Sequence, residues 1–173
     1  MYGETNWSLR PGRPDDIEAI AELRAVVMRD DLVRLGRYDE HRVRQRLRDG
    51  FSPRHTSVVE VDGGFAGCVT MRPYEDGEGL YLEHFYLTPG AQGRGLGTAV
   101  LRELLARADE AAAPVRLVVL QGSAARRLYE REGFTYESED PVDVLLVRAP
   151  RVPTGPRPAG RTLRGRLRPA DGR

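Results

Sequence analysis

The chain has 173 residues, 40% of them hydrophobic and 31% charged, a composition that fits one soluble globular domain large enough to bury a core. No apolar run approaches the roughly 18 residues of a membrane span, and Met1 to Arg13 has no apolar stretch of the signal-peptide kind. Cys68 is the only cysteine, which excludes an intramolecular disulfide and makes a reducing, cytoplasmic location the expectation. The net charge of +1 hides an asymmetry: all 27 basic residues are Arg, and from Pro150 onward seven Arg stand against one Asp. Residues 1–149 therefore carry 20 Arg against 25 acids, so the body is acidic and the tail basic.

In chain order, Trp7 to Arg10 reads as a short strand closed by Pro11-Gly12. Asp15 or Asp16 can cap a helix whose apolar positions Ile17, Ile20, Leu23 and Val27 recur at helical spacing. Asp39 to Asp49 predicts a second helix, with Val43 and Leu47 four apart and Gly50 at its end. Thr56 to Val61, the turn Asp62-Gly63-Gly64 and Phe65 to Arg72 predict a hairpin. Leu80 to Leu87 is a further strand.

A glycine cluster follows, and Leu96, Val100, Leu101, Leu104, Leu105 and Ala108 form a helical stripe directly behind it. Val115 to Leu120 is a nearly continuous apolar strand of the kind found inside a sheet. Ser123 can cap a short helix that stops at Gly133, and Phe134 to Tyr136 and Val142 to Val147 read as the last strands. The order is an α/β arrangement of about seven strands and about four helices in which helices cover a twisted mixed sheet. The domain spans 1–149. The Pro-, Gly- and Arg-rich segment 150–173 lacks apolar periodicity and reads as a disordered tail.

The loop Gln92-Gly93-Arg94-Gly95-Leu96-Gly97-Thr98 carries the chemistry. Its glycines let the backbone take positive φ and approach a ligand closely. The helix behind it directs unpaired N–H groups and its positive dipole end back at the loop. Together they make an anion site suited to a pyrophosphate. The loop lacks the Gly-Lys-Ser/Thr ending of a nucleotide-hydrolase phosphate loop, and it does not follow the first strand of a doubly wound sheet.

Phe85 through Gly97 resembles the strand-to-helix signature Gln/Arg-x-x-Gly-x-Gly/Ala of the GNAT superfamily of N-acetyltransferases. Leu128-Tyr129-Glu130-Arg131-Glu132-Gly133-Phe134 is similar to that superfamily's second signature, Leu-Tyr-x-x-x-Gly-Phe. The resemblance covers roughly residues 7–149. It implies a fold in which strands 4 and 5 splay apart to admit the pantetheine arm of acetyl-CoA. It also implies a pyrophosphate held by the amides of Gln92, Gly93, Arg94, Gly95, Leu96, Gly97 and Thr98. A backbone N–H of strand 4, from Phe85 or Leu87, would polarise the thioester carbonyl. Tyr129 matches the proton donor to the leaving thiolate. A model tyrosine (pKa about 10) is a weaker acid than a thiol (about 8.5), so the site must assist that transfer. One departure is Gly122, where many relatives carry a cofactor-contacting Asn.

An acceptor amine must be neutral to attack, and at pH 7 only about one part in a thousand is neutral. Glu83 is the candidate base: it stands two residues before Phe85, hence on the same face by strand alternation. Its plain alternative is a carboxylate that solvates an exposed face or pairs with an Arg. Tyr81 shares that face and can act through water. His84, one residue out of phase, is expected to point the other way, and His41 and His55 read as surface residues. No His, Cys and acid cluster has metal-ligand spacing, so no metal is expected.

The function implied is transfer of an acetyl group from acetyl-CoA to a primary amine of a small molecule or peptide, in a ternary complex. The alternative is a catalytically silent acyl-CoA-binding module that senses or regulates. In relatives the acceptor cleft lies between the first two helices and the last strands, which here hold Asp30, Asp31, Glu137, Glu139 and Asp140. These acids predict a cationic acceptor. The acidic body argues against a nucleic-acid partner, no membrane partner is expected, and there is room for a homodimer.

Overall fold

A computed structural model describes residues 6–152 as seven strands and five helices joined by short 3-10 turns. Strands β1 (Trp7–Pro11), β2 (Thr56–Val61), β3 (Gly64–Pro73), β4 (Leu80–Leu87), β5 (Val115–Leu120), β6 (Thr135–Glu139) and β7 (Asp143–Arg148) form one sheet in the order β1-β2-β3-β4-β5-β7-β6. Neighbours are antiparallel except β4 and β5, which run parallel. None of the described helices is long and apolar enough to cross a membrane.

The helices are α1 (Ile17–Val27), α2 (Arg29–Arg34), α3 (Glu40–Gly50), α4 (Leu96–Glu110) and α5 (Ala125–Arg131). One face of the sheet packs on α4, whose Val100, Leu101, Leu104, Leu105 and Ala108 meet Leu82, Leu117, Val119, Val144 and Leu146. The other face takes α1 and α3, with Ile20, Ala21 and Leu47 packed around Cys68 and Tyr86. Asp39 caps α3 by accepting from Arg42 N–H at 2.7 Å. Asp16 does not cap α1 with its side chain; it accepts from Arg13 N–H and from the Arg10 guanidinium.

The single-turn helix α2 has no counterpart in the sequence pattern, because it buries no residue and so leaves no apolar stripe. Tertiary contacts hold it. Arg34 pairs with Asp31 at 2.8 Å and donates to the carbonyl of Gln121 at 2.7 Å, in the turn after β5. At the other end, Arg151 N–H donates to Asp109 at 2.8 Å, so contacts with the body run past the expected boundary at 149. The rest of the tail, residues 153–173, lies outside the described residues, and so does the disorder expected of it.

Candidate active site

Strands β4 and β5 pair only at Leu80 with Val115 and Tyr81 with Arg116, and beyond that register they diverge. The gap opens a cleft of about 980 Å³ that runs from α1 and α2 past β4 to the start of α4 and to α5. The N–H of Leu80 donates across to Pro114, whereas that of Thr88 donates to Ala66 on the β3 side. With alternation from Thr88, the amides of Leu87 and Phe85 face the splay. Their side chains pack into the core against α4, so what they present to the cleft is backbone.

The loop before α4 is built from the same economy of side chains. Gly93 and Gly95 hold φ of 75° and 81°, and a Cβ built on either would meet nothing within 4 Å. Both glycines thus stand at positions whose backbone conformation disfavours side chains, over open space. Among the described residues, none of the amides from Gly93 to Thr98 donates to a protein acceptor. They stand at the positive end of the α4 dipole, the arrangement an anion needs; Gln92 and Gly97 line the cleft, while Arg94, Gly95 and Leu96 line a second pocket of about 370 Å³ beside Trp7, Gly64 and Phe65. Gln92 is not among the free amides expected of the loop: its N–H donates to Pro89 O at 3.3 Å, and its side chain donates to Leu87 O at 2.9 Å and ties the loop to the end of β4, while Arg94 is exposed and Leu96 sits in the core.

Tyr129 comes from α5, which packs behind β5. It is 7% exposed and stacks edge-on against Phe134 with ring centres 5.7 Å apart. Its hydroxyl makes no hydrogen bond among the described residues, yet no buried polar atom is left without a partner. The hydroxyl therefore retains an opening to the cleft that the residue lines. Burial pushes the phenol above its ordinary range, so it keeps its proton at every physiological pH.

At position 122 the structure supplies a reason for glycine. The residue holds φ of 74°, and a Cβ there would lie 2.8 Å from Nη1 of Arg34. The left-handed backbone is what favours glycine there; the guanidinium that anchors α2 lies beside it and could shift.

On β4 the structure corrects two expectations. Residues Cys68 and Thr70 of β3 pair with Tyr86 and Glu83, so His84 and Phe85 together oppose a single residue, Val69. This is a β-bulge, and His84 takes φ of 48° to make it. The bulge shifts the phase of the strand: Leu80 and Leu82 before it, and Phe85 and Leu87 after it, face the α4 core. Glu83 consequently does not share a face with Phe85. It lies with His84 and Tyr86 on the other side, and His84 does not point away from it: Nε2 of His84 is 3.7 Å from Oε1 of Glu83. The slip was legible in the sequence as apolar residues at 80 and 82, then at 85 and 87, with Glu83-His84 between them.

Glu83 is also held by Arg72 of β3, whose Nε is 2.7 Å from the same oxygen and whose guanidinium lies 5.0 Å over the Tyr81 ring. Burial pushes the Tyr81 phenol up to about 12, so it holds its proton at neutral pH. His41 is exposed, whereas His55 is half-buried against the Ser52 hydroxyl.

Of the acids expected to face an acceptor, Asp30, Asp31 and Asp140 line the large cleft, and Glu139 and Asp140 line an adjoining one of about 560 Å³. Glu137 lines neither and pairs with Arg116 at 2.9 Å. Sequence reading missed Asp143, whose carboxyl is pushed upward by burial and by Asp140, and it missed Arg37, Arg42 and Arg46, which line the same cleft. These residues belong to separate elements with no motif of their own.

A parallel strand pair that opens at its end, with free amides at the following helix, gives a cleft able to take an extended ligand with an anionic end. The acetyltransferase (GNAT) family pattern matches residues 20–134, and the chain belongs to that family. No curated protein sequence matches the chain. Among solved structures it is similar to the PaiA N-acetyltransferase of Thermoplasma acidophilum in complex with coenzyme A, at 18% identity and a TM-score of 0.67, covering 83% of this chain and 99% of that one. An N-acetyltransferase of Staphylococcus aureus Mu50 shares 21% identity at a TM-score of 0.63, over 81% and 99% of the two chains. The N-acetylglutamate synthase of Neisseria gonorrhoeae, complexed with coenzyme A and N-acetyl-glutamate, shares 18% identity at a TM-score of 0.62, over 86% of this chain but 36% of its own.

Proposed function

We propose that the protein transfers an acetyl group from acetyl-CoA to a primary amine of a small molecule or peptide, by direct attack within a ternary complex. The observation that carries this reading is one cleft lined by Phe85 and Leu87 of the splayed β4, by Gln92 and Gly97 of the loop with free amides, and by Tyr129 with its unpartnered hydroxyl. The neighbours crystallised with coenzyme A support the same donor here.

In this reading the amides of Gly93 to Thr98 hold the pyrophosphate. The Phe85 or Leu87 amide donates to the thioester oxygen as negative charge develops there. The amine attacks the carbonyl carbon, the C–S bond breaks, and Tyr129 gives its proton to the thiolate. Glu83 stands on the acceptor side and receives the proton shed by the ammonium. The acids Asp30, Glu139, Asp140 and Asp143 favour a cationic acceptor, while Arg37, Arg42 and Arg46 offer a place for an anionic group on the same molecule.

The test is incubation of the protein with acetyl-CoA and a panel of amines, with thiol release followed and products weighed by mass spectrometry. Acetylated amine is the expected product. Tight coenzyme A binding with no product from any amine would instead make the chain an acyl-CoA-binding module.

A further inference from the structure

Arg24 of α1 is a buried cation without a counter-charge. The residue is 8% exposed and makes no ion pair among the described residues, whereas the other buried arginine there, Arg148, pairs with Asp109 at 2.8 Å. An arginine cannot escape burial by losing its proton, and a buried charge left uncompensated is costly. Its Nε donates to the Tyr86 hydroxyl of β4 at 3.1 Å, and Nη1 donates to the Val43 carbonyl of α3. Nη2 donates to no acceptor among the described residues, yet no buried polar atom there is left without a partner. That nitrogen therefore reaches open space, and the residue lines the large cleft.

The neighbours do not answer this charge. Burial holds the Tyr86 phenol above its ordinary range, so it stays neutral. Burial, opposed by Glu83 and joined by Arg24 and Arg72, holds the His84 imidazole below its ordinary value, so it adds no negative group either. Asp30 and Asp31 of α2 line the cleft, but Asp31 is taken by Arg34. Arg37 and Arg46 act on the charges of Asp140 and Asp143, so these two cleft arginines are partly offset. Arg24 is not.

Resting on the acetyltransferase reading, we propose that the acceptor itself carries the counter-charge: Arg24 binds a carboxylate of the amine to be acetylated, which makes the substrate class amino acids and related carboxylate-bearing primary amines. Arg24 is a substrate-binding residue that sets specificity, and it takes no part in proton or acyl transfer. Two hydrogen bonds from separate elements hold the guanidinium still, so little ordering is left to be done on binding. Its open edge suits a carboxylate. A phosphate dianion would meet the acids at positions 30, 31, 140 and 143 unfavourably. Glu83, proposed to take the ammonium proton, lies two side chains away. The Tyr86 hydroxyl that accepts from Arg24 is 3.2 Å from Nδ1 of His84, and Nε2 of that ring is 3.7 Å from Glu83. Opposite charges that close suit an amine and a carboxylate on one small molecule.

The first test compares paired acceptors. α-Amino acids and short ω-amino carboxylates are offered with acetyl-CoA, each beside its own carboxamide, and kcat/KM is measured for both members of a pair. The wild type should prefer the carboxylate by about 10–100-fold, through KM more than kcat. Arg24→Gln, whose amide can still donate to Val43, should bring that ratio to about one. Arg24→Lys keeps the charge without the fork and should retain part of the preference. Comparing one pair between proteins cancels the difference in amine basicity. A wild type that acetylates carboxamides or simple diamines as well as the acids overturns the proposal, whatever the variants do. A variant that slows both members equally assigns Arg24 to holding α1 against α3 and β4, and overturns it too.

The second test needs no turnover. With coenzyme A bound, the Nε–H signal of Arg24, assigned by its loss in Arg24→Lys, is followed by NMR as each amine of the panel is added. An amino acid should move it saturably, and the matching carboxamide should leave it in place. A signal that no carboxylate-bearing amine moves overturns the anchor. If the wild type acetylates no amine, the acetyltransferase reading falls, and this titration judges the Arg24 site by itself.

Discussion

The two sides of the cleft are made of different material. The donor side, from the end of β4 through the loop to α4, presents backbone: six amides between Gly93 and Thr98 without a protein acceptor, and the Phe85 and Leu87 amides turned into the splay. The acceptor side, from α2 and α3 across to β7, presents side chains: Glu83 gripped by Arg72, carboxylates at Asp140 and Asp143, and arginines at positions 37, 42 and 46. A backbone site binds one anionic ligand well and depends on few side chains, apart from the glycines its positive φ demands. A side-chain site changes its preference with each substitution. That division fits a family in which the fold fixes the donor and does not choose the acceptor.

The comparison breaks most sharply at Tyr129, the one side chain on the donor side that the proposed reaction uses. Tyr129→Phe should lower kcat by about 10²–10⁴-fold while coenzyme A affinity stays near wild type. Steady-state kinetics with isothermal titration checks both halves, and a fully active Phe variant would reduce Tyr129 to a core residue stacked on Phe134. Backbone recognition predicts the next effect. Gly95→Val places a branched side chain at φ of 81° and over the cradle, and coenzyme A affinity should fall about 10–100-fold. Gly95→Asn sharpens the point, since Asn accepts that backbone: the protein should keep its melting temperature and still bind coenzyme A about tenfold more weakly. Unchanged affinity in both variants would move the pyrophosphate elsewhere.

The acceptor side should respond gradually. Asp30→Asn combined with Asp31→Asn should lower kcat/KM for a cationic amine only a few-fold at low salt, and the difference should fade as ionic strength rises. Part of the loss will come through α2, because Asp31 also pairs with Arg34. A preferred acceptor of net negative charge, or rates indifferent to both salt and substitution, would show that the arginine wall, and not the acids, selects the substrate.

Much of the fold and of the donor site was written locally. Strand β4 was readable as Leu80 to Leu87 and α4 from Leu96, because apolar spacing within one element records which face it buries. The loop proposed to hold the anion was readable because positive φ, at Gly93 and Gly95, restricts the residues that can stand there. What tertiary structure alone decided was how elements distant in sequence share space. It alone placed the Arg34 guanidinium beside position 122, where a φ of 74° already favours glycine. It set Arg72 against Glu83, eleven residues apart, and brought Arg46 of α3 close enough to Asp143 of β7 to act on its charge. The bulge stood between these cases: its phase slip was visible in the apolar pattern, but only pairing with β3 turned His84 toward Glu83, because a strand's register is set by its neighbour and not by its own residues.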